Sequence, residues 1–340
     1  MRRALYAVVK NRLALLFFAV LLVVPAAHAQ RRRPSLPPAV SGCPLKTLFL
    51  DAYSADVEVD DSFVYFTDSL GGVFRLNKDG SGDAQLLGTV PDFVTVLTLD
   101  GTSVYALTIN IDGELGSLWS IPKAGGTPKQ LAGSILTPFE MAFDATNVYW
   151  VSVGTPAGDF FLADGKVERV KKDGTGRTTL ASNLNLPTHV ATDGTTVYFT
   201  ESGLSPASSS AGLRSVPAAG GAVTKLTSGT GAVGVTLAGS DIYFSNLDPI
   251  TGGELLRMPK SGGSATSLEK GLDVVTHIVI RDDRVYYFNS DDVWSIEYVP
   301  VAGGTRKLVI GGDFVTEEFA LDDCSVYYVD GNGALIRAPR

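Results

Sequence analysis

An aliphatic residue followed by tyrosine recurs at Val64-Tyr65, Val104-Tyr105, Val148-Tyr149, Val197-Tyr198, Ile242-Tyr243, Val285-Tyr286 and Val326-Tyr327. Eight positions before each aliphatic residue stand Asp56, Val96, Glu140, His189, Gly234, His277 and Glu318. Three carboxylates and two imidazoles therefore share one register of a repeat. Brought together, such groups cannot all be charged and dry: the carboxylates repel unless water, a cation or a protonated histidine neutralises them. Imidazole nitrogens with carboxylate oxygens suit zinc, manganese or a similar divalent ion, with His189, His277, Glu140 and Glu318 as candidate ligands, or the polar head of a small ligand. One residue further on, the same register reads Val57, Leu97, Met141, Val190, Val235, Ile278 and Phe319. The polar set belongs to a position, not to a generally polar strand. The competing reading is a solvated strand end whose side chains cap neighbouring backbone.

The element that must position these residues is the repeat itself. Successive aliphatic-Tyr pairs lie 40 to 49 residues apart. A short alternating run ending in a tight turn precedes each pair, as in Leu99-Asp100-Gly101-Thr102. A third run with a Pro/Lys-x-Gly signal follows, as in Ile121-Pro122-Lys123-Ala124-Gly125-Gly126, and a fourth run ends on leucine. Four short strands per unit, joined by Asp-Gly and Gly-Gly turns, predict an all-β, seven-bladed propeller of four-stranded antiparallel blades, with six or eight blades as the alternative. The eighth-back position then falls at the start of each innermost strand, beside the central channel. Turns such as Asp79-Gly80-Ser81-Gly82-Asp83 recur at one place in the unit, which marks them as hairpin turns rather than calcium loops.

The seventh unit stops after its third strand, at Leu335-Ile336-Arg337-Ala338-Pro339-Arg340, and an unused fourth-strand match, Pro44-Leu45-Lys46-Thr47-Leu48-Phe49, lies near the other end. The N-terminal segment should complete the last blade and remove two open sheet edges. Cys43 and Cys324 would meet at that closure. Two strand spacings are about 10 Å, beyond the roughly 7 Å that a disulfide spans, so the turn would have to fold over; the sequence leaves a bond and two separate thiols equally open.

Residues 1–29 read as a signal peptide: a basic start with Arg2, Arg3, Lys10 and Arg12, an apolar run from Leu13 to Val24, and a small-x-small site at Ala27-His28-Ala29. The run is shorter than the roughly 20 residues of a permanent span, and the general secretory route is expected, to the periplasm or beyond the cell. Residues 30–42 form a basic, proline-bearing leader, and residues 43–340 a single propeller domain. The formal charge of −8 argues against a nucleic-acid partner. No second apolar span follows, and a ring closed on itself is read as a monomer.

The second-strand motifs Tyr65-Phe66-Thr67-Asp68, Tyr198-Phe199-Thr200-Glu201, Tyr243-Phe244-Ser245-Asn246 and Tyr327-Tyr328-Val329-Asp330 resemble the Tyr-Trp-Thr-Asp repeats of low-density-lipoprotein-receptor-type propellers. The wider unit resembles bacterial secreted proteins of a poorly characterised family with that fold. The resemblance covers residues 44–340 and implies a propeller, while that receptor family has six blades against seven units here.

No His-Glu-x-x-His, Cys-x-x-Cys, phosphate loop or Gly-x-Ser-x-Gly elbow is present. The expected ligand-binding set is Asp56, Glu140, His189, His277 and Glu318, with Glu201 at the base of a neighbouring loop. Phe160 and Phe161 join it from the long insertion Gly154 to Lys166, as a lid over the channel or a contact patch. The expectation is an exported scaffold binding a protein, glycan or small molecule on this face. The alternative is an enzyme with an axial divalent metal, a lactonase-like hydrolase or a lyase, with His189 or His277 as ligand or general base.

Overall fold

The computed structural model describes residues 43–340 apart from 51, 53, 158–159, 204–210, 228–230, 249–251, 291–293 and 313–316. The expected signal peptide and leader lie outside the described residues. Seven four-stranded antiparallel sheets follow one another as the blades of a propeller, and the described residues contain no helix. Blade 1 runs Glu58–Val59, Phe63–Thr67, Gly72–Asn77, Gln85–Thr89 from axis to rim; blade 3 runs Pro138–Phe143, Asn147–Ser152, Gly165–Lys171, Thr178–Leu184. Second strands are buried on both faces, so each sheet must be covered by the next. One apolar cluster sits at each of the seven blade interfaces. Between blades 7 and 1, for example, Val329 and Leu335 meet Val64 and Phe66. Each such buried aliphatic or aromatic side chain contributes about 1.5–3 kcal/mol.

Blade 7 is built from both ends of the chain. Lys46–Phe49 pairs antiparallel with Leu335–Pro339, Lys46 opposite Arg337, as its outermost strand. Cys43 and Cys324 are bonded, their Cα atoms 6.0 Å apart. The distance objection assumes straight, evenly spaced strands. Cys43 lies ahead of the paired strand, which starts at Lys46, so it is not held to that spacing, and on the other side the Arg340 N–H donates to Cys324 O at 3.2 Å.

A second device joins the blades. The turn aspartates Asp60, Asp100, Asp144 and Asp322 each accept the hydroxyl of the tyrosine five residues on, at 2.6, 2.8, 2.6 and 2.9 Å. The next blade then supplies a lysine to the same carboxylate: Lys123 to Asp60 at 3.0 Å, Lys172 to Asp100 at 2.8 Å, Lys78 to Asp322 at 3.1 Å. Lys260 lies 3.8 Å from Asp193 in the same way. Between blades 6 and 7 the role passes to Arg340, which bonds Asp282 and donates to the Tyr286 hydroxyl at 3.1 Å. Ala218 occupies this position in blade 4 and Val301 in blade 6, as their shared backbone bonds to Thr195 O and Asp283 O show. The repeated tyrosines are thus packing and fastening groups.

Candidate functional site

A local irregularity aims the side chains of the ring. The innermost strands of blades 2 to 6 each lose register with their neighbours over the stretch that carries the ring residue: Val94 to Val96, Pro138 to Glu140, Pro187 to Val190, Ala232 to Val235 and Val275 to Ile278. A bulge turns a side chain out of the regular alternation. In blade 4 the Thr200 hydroxyl takes up the freed backbone, accepting the His189 N–H at 3.0 Å and donating to Val233 O of blade 5 at 2.7 Å. Ser245 does the same for Gly234 and Val275 O, at 2.8 and 2.6 Å. Gly234 is there for space: a Cβ would lie 2.1 Å from Thr276 O.

The structure brings Asp56, Glu140, His189, His277 and Glu318 into one electrostatic neighbourhood. His277 Nδ1 is paired with a carboxylate oxygen of Glu318. Burial works against charging His277, but Glu318, with Glu140 and Glu58 behind it, holds its pKa up at about 9. Burial raises Glu318 while the His277 charge and hydrogen bond pull it below the usual carboxylate range. The side chains stay 27% and 17% exposed, so this pair faces water rather than a sealed interior. Glu140 accepts the Met141 N–H at 2.8 Å, and burial together with Glu318 lifts its pKa to about 8. Burial holds His189 neutral, down to about 4.

Asp56 takes a different part. Its two oxygens accept the N–H groups of Val57 at 2.6 Å and of Leu97 in blade 2 at 2.7 Å, so it straps two blades together. Burial and its acidic neighbours Glu318 and Glu58 still raise its pKa well above normal. Glu58 and Glu317 belong to the group and escape a rule that takes one position per repeat. Burial lifts both to about 7. Glu58 opens the innermost strand of blade 1 two residues after Asp56, the spacing that puts side chains on one face of an extended chain, and that spacing was the available signal.

Glu201 stands apart from the ring. It accepts the Asn185 N–H at 2.7 Å and pairs with Arg214 inside its own blade. The equivalent Asp68 and Asp330 cap their own turns, accepting from Gly72 at 2.8 Å and Ala334 at 3.0 Å. Phe160 and Phe161 form one arm of a small hairpin against Pro156–Ala157, and the Phe160 side chain lies outside the described residues. Asp164 anchors the hairpin through Thr155 N at 2.7 Å. Phe161 packs onto Val153 and Leu186, as Phe139 does, and Leu162 at the base of the hairpin, its N–H bonded to Thr155 O at 2.9 Å, is left exposed. Phe139 stands edge-on to His189 at 5.8 Å, so the small cluster that Phe161 joins borders a ring residue. Among the described residues no group of three or more His, Cys, Asp or Glu side chains is placed to hold a metal ion.

No known family profile matches the chain, and no curated protein matches it by sequence. Solved structures match its shape. The virginiamycin B lyase of Staphylococcus aureus aligns over 87% of this chain and 99% of its own, with a TM-score of 0.65 and 14% identity. A propeller from a nidogen/laminin complex aligns over 68% and 86%, at 0.51 and 16%. A 6-phosphogluconolactonase-like protein of Bacteroides uniformis aligns over 76% and 86%, at 0.51 and 15%. These likenesses establish a propeller. At such identities they carry no activity across.

Proposed function

We propose that the protein is a binding scaffold whose ligand seats at the axial mouth carrying the His277–Glu318 pair. The observation that carries this reading is the His277–Glu318 pair, which joins blades 6 and 7 while staying partly open to water, with Glu140 and His189 at the equivalent bulged strand starts of blades 3 and 4. Strand-end capping alone needs none of that convergence. Groups concentrated at a channel mouth, tuned away from their ordinary pKa values and framed by bulged strands, are what a ligand site requires. The neighbours of known structure range from a nidogen/laminin complex to a lyase and a lactonase-like protein, which is the range a rigid scaffold supports. Export to the periplasm or the extracellular space belongs to the same proposal, resting on residues 1–29.

A thermal-shift screen sorted by chemistry tests it, with amines, carboxylates, oligosaccharides and divalent chlorides run against the protein and its His277→Gln/Glu318→Gln variant. At least one class should stabilise the protein and lose that effect in the variant. If every stabilising compound acts equally on both, the axial site is the wrong place. Stabilisation by divalent chlorides alone would favour the metal-enzyme alternative.

A further inference from the structure

We propose that the turns joining second to third strands in blades 1 to 3 form a docking face for a cationic amphipathic polypeptide, one that presents apolar and Lys or Arg side chains together. This surface is separate from the axial site and does not depend on it. The first observation is where exposed apolar residues lie. Leu50, Leu70, Ile111, Leu115 and Leu162 are between 46% and 68% exposed. Leu70 sits in the turn between Thr67 and Gly72 of blade 1. Ile111 lies in the blade 2 turn between strands Ser103–Ile109 and Leu115–Pro122, and Leu115 closes that turn. Leu162 ends the blade 3 insertion ahead of Gly165, and Leu50 follows Phe49, which stands opposite Leu335, the first residue of the third strand of blade 7. All five therefore stand at the end of the propeller where third strands begin, on the consecutive blades 7, 1, 2 and 3. The other large exposed apolar residues among the described ones, Leu45, Leu86 and Val223, lie on or next to outermost strands. Apolar side chains gathered on one face mark a contact surface, as scattered ones do not.

The turns are pinned so that these side chains stay out. Asp68 accepts the N–H groups of Leu70 at 2.9 Å and Gly72 at 2.8 Å, and Asn110 accepts those of Glu114 at 3.0 Å and Leu115 at 3.2 Å. Each turn is also tied to the chain leading into the next blade. The Val90 N–H donates to Gly71 O at 2.9 Å, and the Thr137 N–H to Glu114 O at 2.7 Å. The Thr137 hydroxyl then bonds Gly154 O, which links the blade 2 turn to the base of the blade 3 hairpin. A surface held in this way gives up little conformational freedom on binding. Charge selects the partner. The same turns and connections carry Asp68, Asp92, Asp112, Glu114 and Asp164 against Lys166 among the described residues. A basic partner is drawn to such a face, and an anionic lipid surface is repelled. A second copy stacked head to tail is a poor match, because Lys78, Lys123 and Lys172 at the opposite end are already paired with Asp322, Asp60 and Asp100.

Fluorescence anisotropy of labelled peptides titrated with the protein tests this. The probes are three synthetic peptides of equal length, built from Lys and Leu, from Glu and Leu, and from Lys and Ser. The Lys/Leu peptide should bind, and the other two should bind at least about tenfold more weakly. Its affinity should fall about tenfold or more in Leu70→Ser/Ile111→Ser/Leu162→Ser, and several-fold as NaCl rises from about 50 to about 300 mM. Should the triple variant fail to fold, Asp112→Lys/Glu114→Lys, which changes exposed turn residues only, should give the same loss. His277→Gln/Glu318→Gln should leave this binding unchanged, so the docking face and the axial site stand or fall separately. No binding of the Lys/Leu peptide, or equal binding by the Glu/Leu peptide or by the triple variant, overturns the proposal. A loss confined to the axial variant would move the peptide to the channel mouth and overturn it as well. Co-sedimentation with phosphatidylglycerol vesicles that the triple variant loses would make the face a membrane contact instead.

Discussion

His277 is held charged by one neighbour against the pull of burial, which makes it the most sensitive reporter of the ring. Replacing Glu318 by Gln removes the group that opposes burial, and the His277 pKa should fall from about 9 to the ordinary histidine value or below. An NMR titration of the ring protons reads this directly, and a value still above 8 would mean that Glu140 and Glu58 suffice. Tyr105 offers a purely structural comparison. Its hydroxyl reaches a charged acceptor, Asp100, at 2.8 Å, so Tyr105→Phe should cost about 1–2 kcal/mol without moving either histidine signal. Chemical denaturation measures the loss. A neutral result would show that Lys172 alone satisfies Asp100.

The fastening between blades is uneven, and the gap is itself testable. Ala218 stands where other blades place a basic residue, facing Asp144, whose pKa is lowered despite burial by its bonds to Tyr149 and to the turn N–H groups. Ala218→Lys should add the missing link between blades 3 and 4 and raise stability by about 0.5–1 kcal/mol, the worth of a partly exposed pair with good geometry. A lower melting temperature would mean that the alkyl stem cannot fit among Leu180 and Val216. The blades were legible because every one repeats the same turn and strand chemistry, so Tyr65 and Tyr327 announce the same element far apart in the chain. The Asp–Tyr–Lys columns were equally periodic, but their meaning needs the neighbouring blade: nothing local says that Lys123 answers Asp60. The ring residues His189 and Glu140 were readable as a register. Glu58 and Glu317 were missed because one position was taken per repeat, while Glu58 follows Asp56 by two residues and Glu317 directly precedes Glu318. The role of Glu201 was hidden for another reason: its partner, Arg214, lies beyond the loop that follows.

Across the whole molecule the axial groups set a pH dependence. The folded pKa of His277 lies near 9, above its value of about 6.5 in an unfolded chain, so its contribution is full below pH 6.5 and is lost as pH rises through 9. Glu140 near 8 and Glu58 near 7 have the same sign: folding favours their protonated forms, and stability falls as pH climbs from about 4.5 through those values. His189 runs the other way, its contribution full above 6.5 and lost as pH drops through 4. The melting temperature should therefore peak in mildly acid buffer and decline toward pH 9, and Glu140→Gln should flatten that decline. A curve that rises from pH 6 to 9 contradicts the arrangement. Reducing the bond between Cys43 and Cys324, or replacing both by Ser, should cost about 2–5 kcal/mol by freeing a loop of nearly the whole chain. Scanning calorimetry with and without reductant checks it. Blade 7 also fixes a timetable. Strand Lys46–Phe49 finds its sheet partner only at Leu335–Pro339, so during synthesis the earliest strand must wait as unpaired chain until the latest has been made. Whatever holds the nascent protein soluble in that interval must shield residues such as Leu48 and Phe49, and the final step of assembly is the meeting of its oldest and youngest segments.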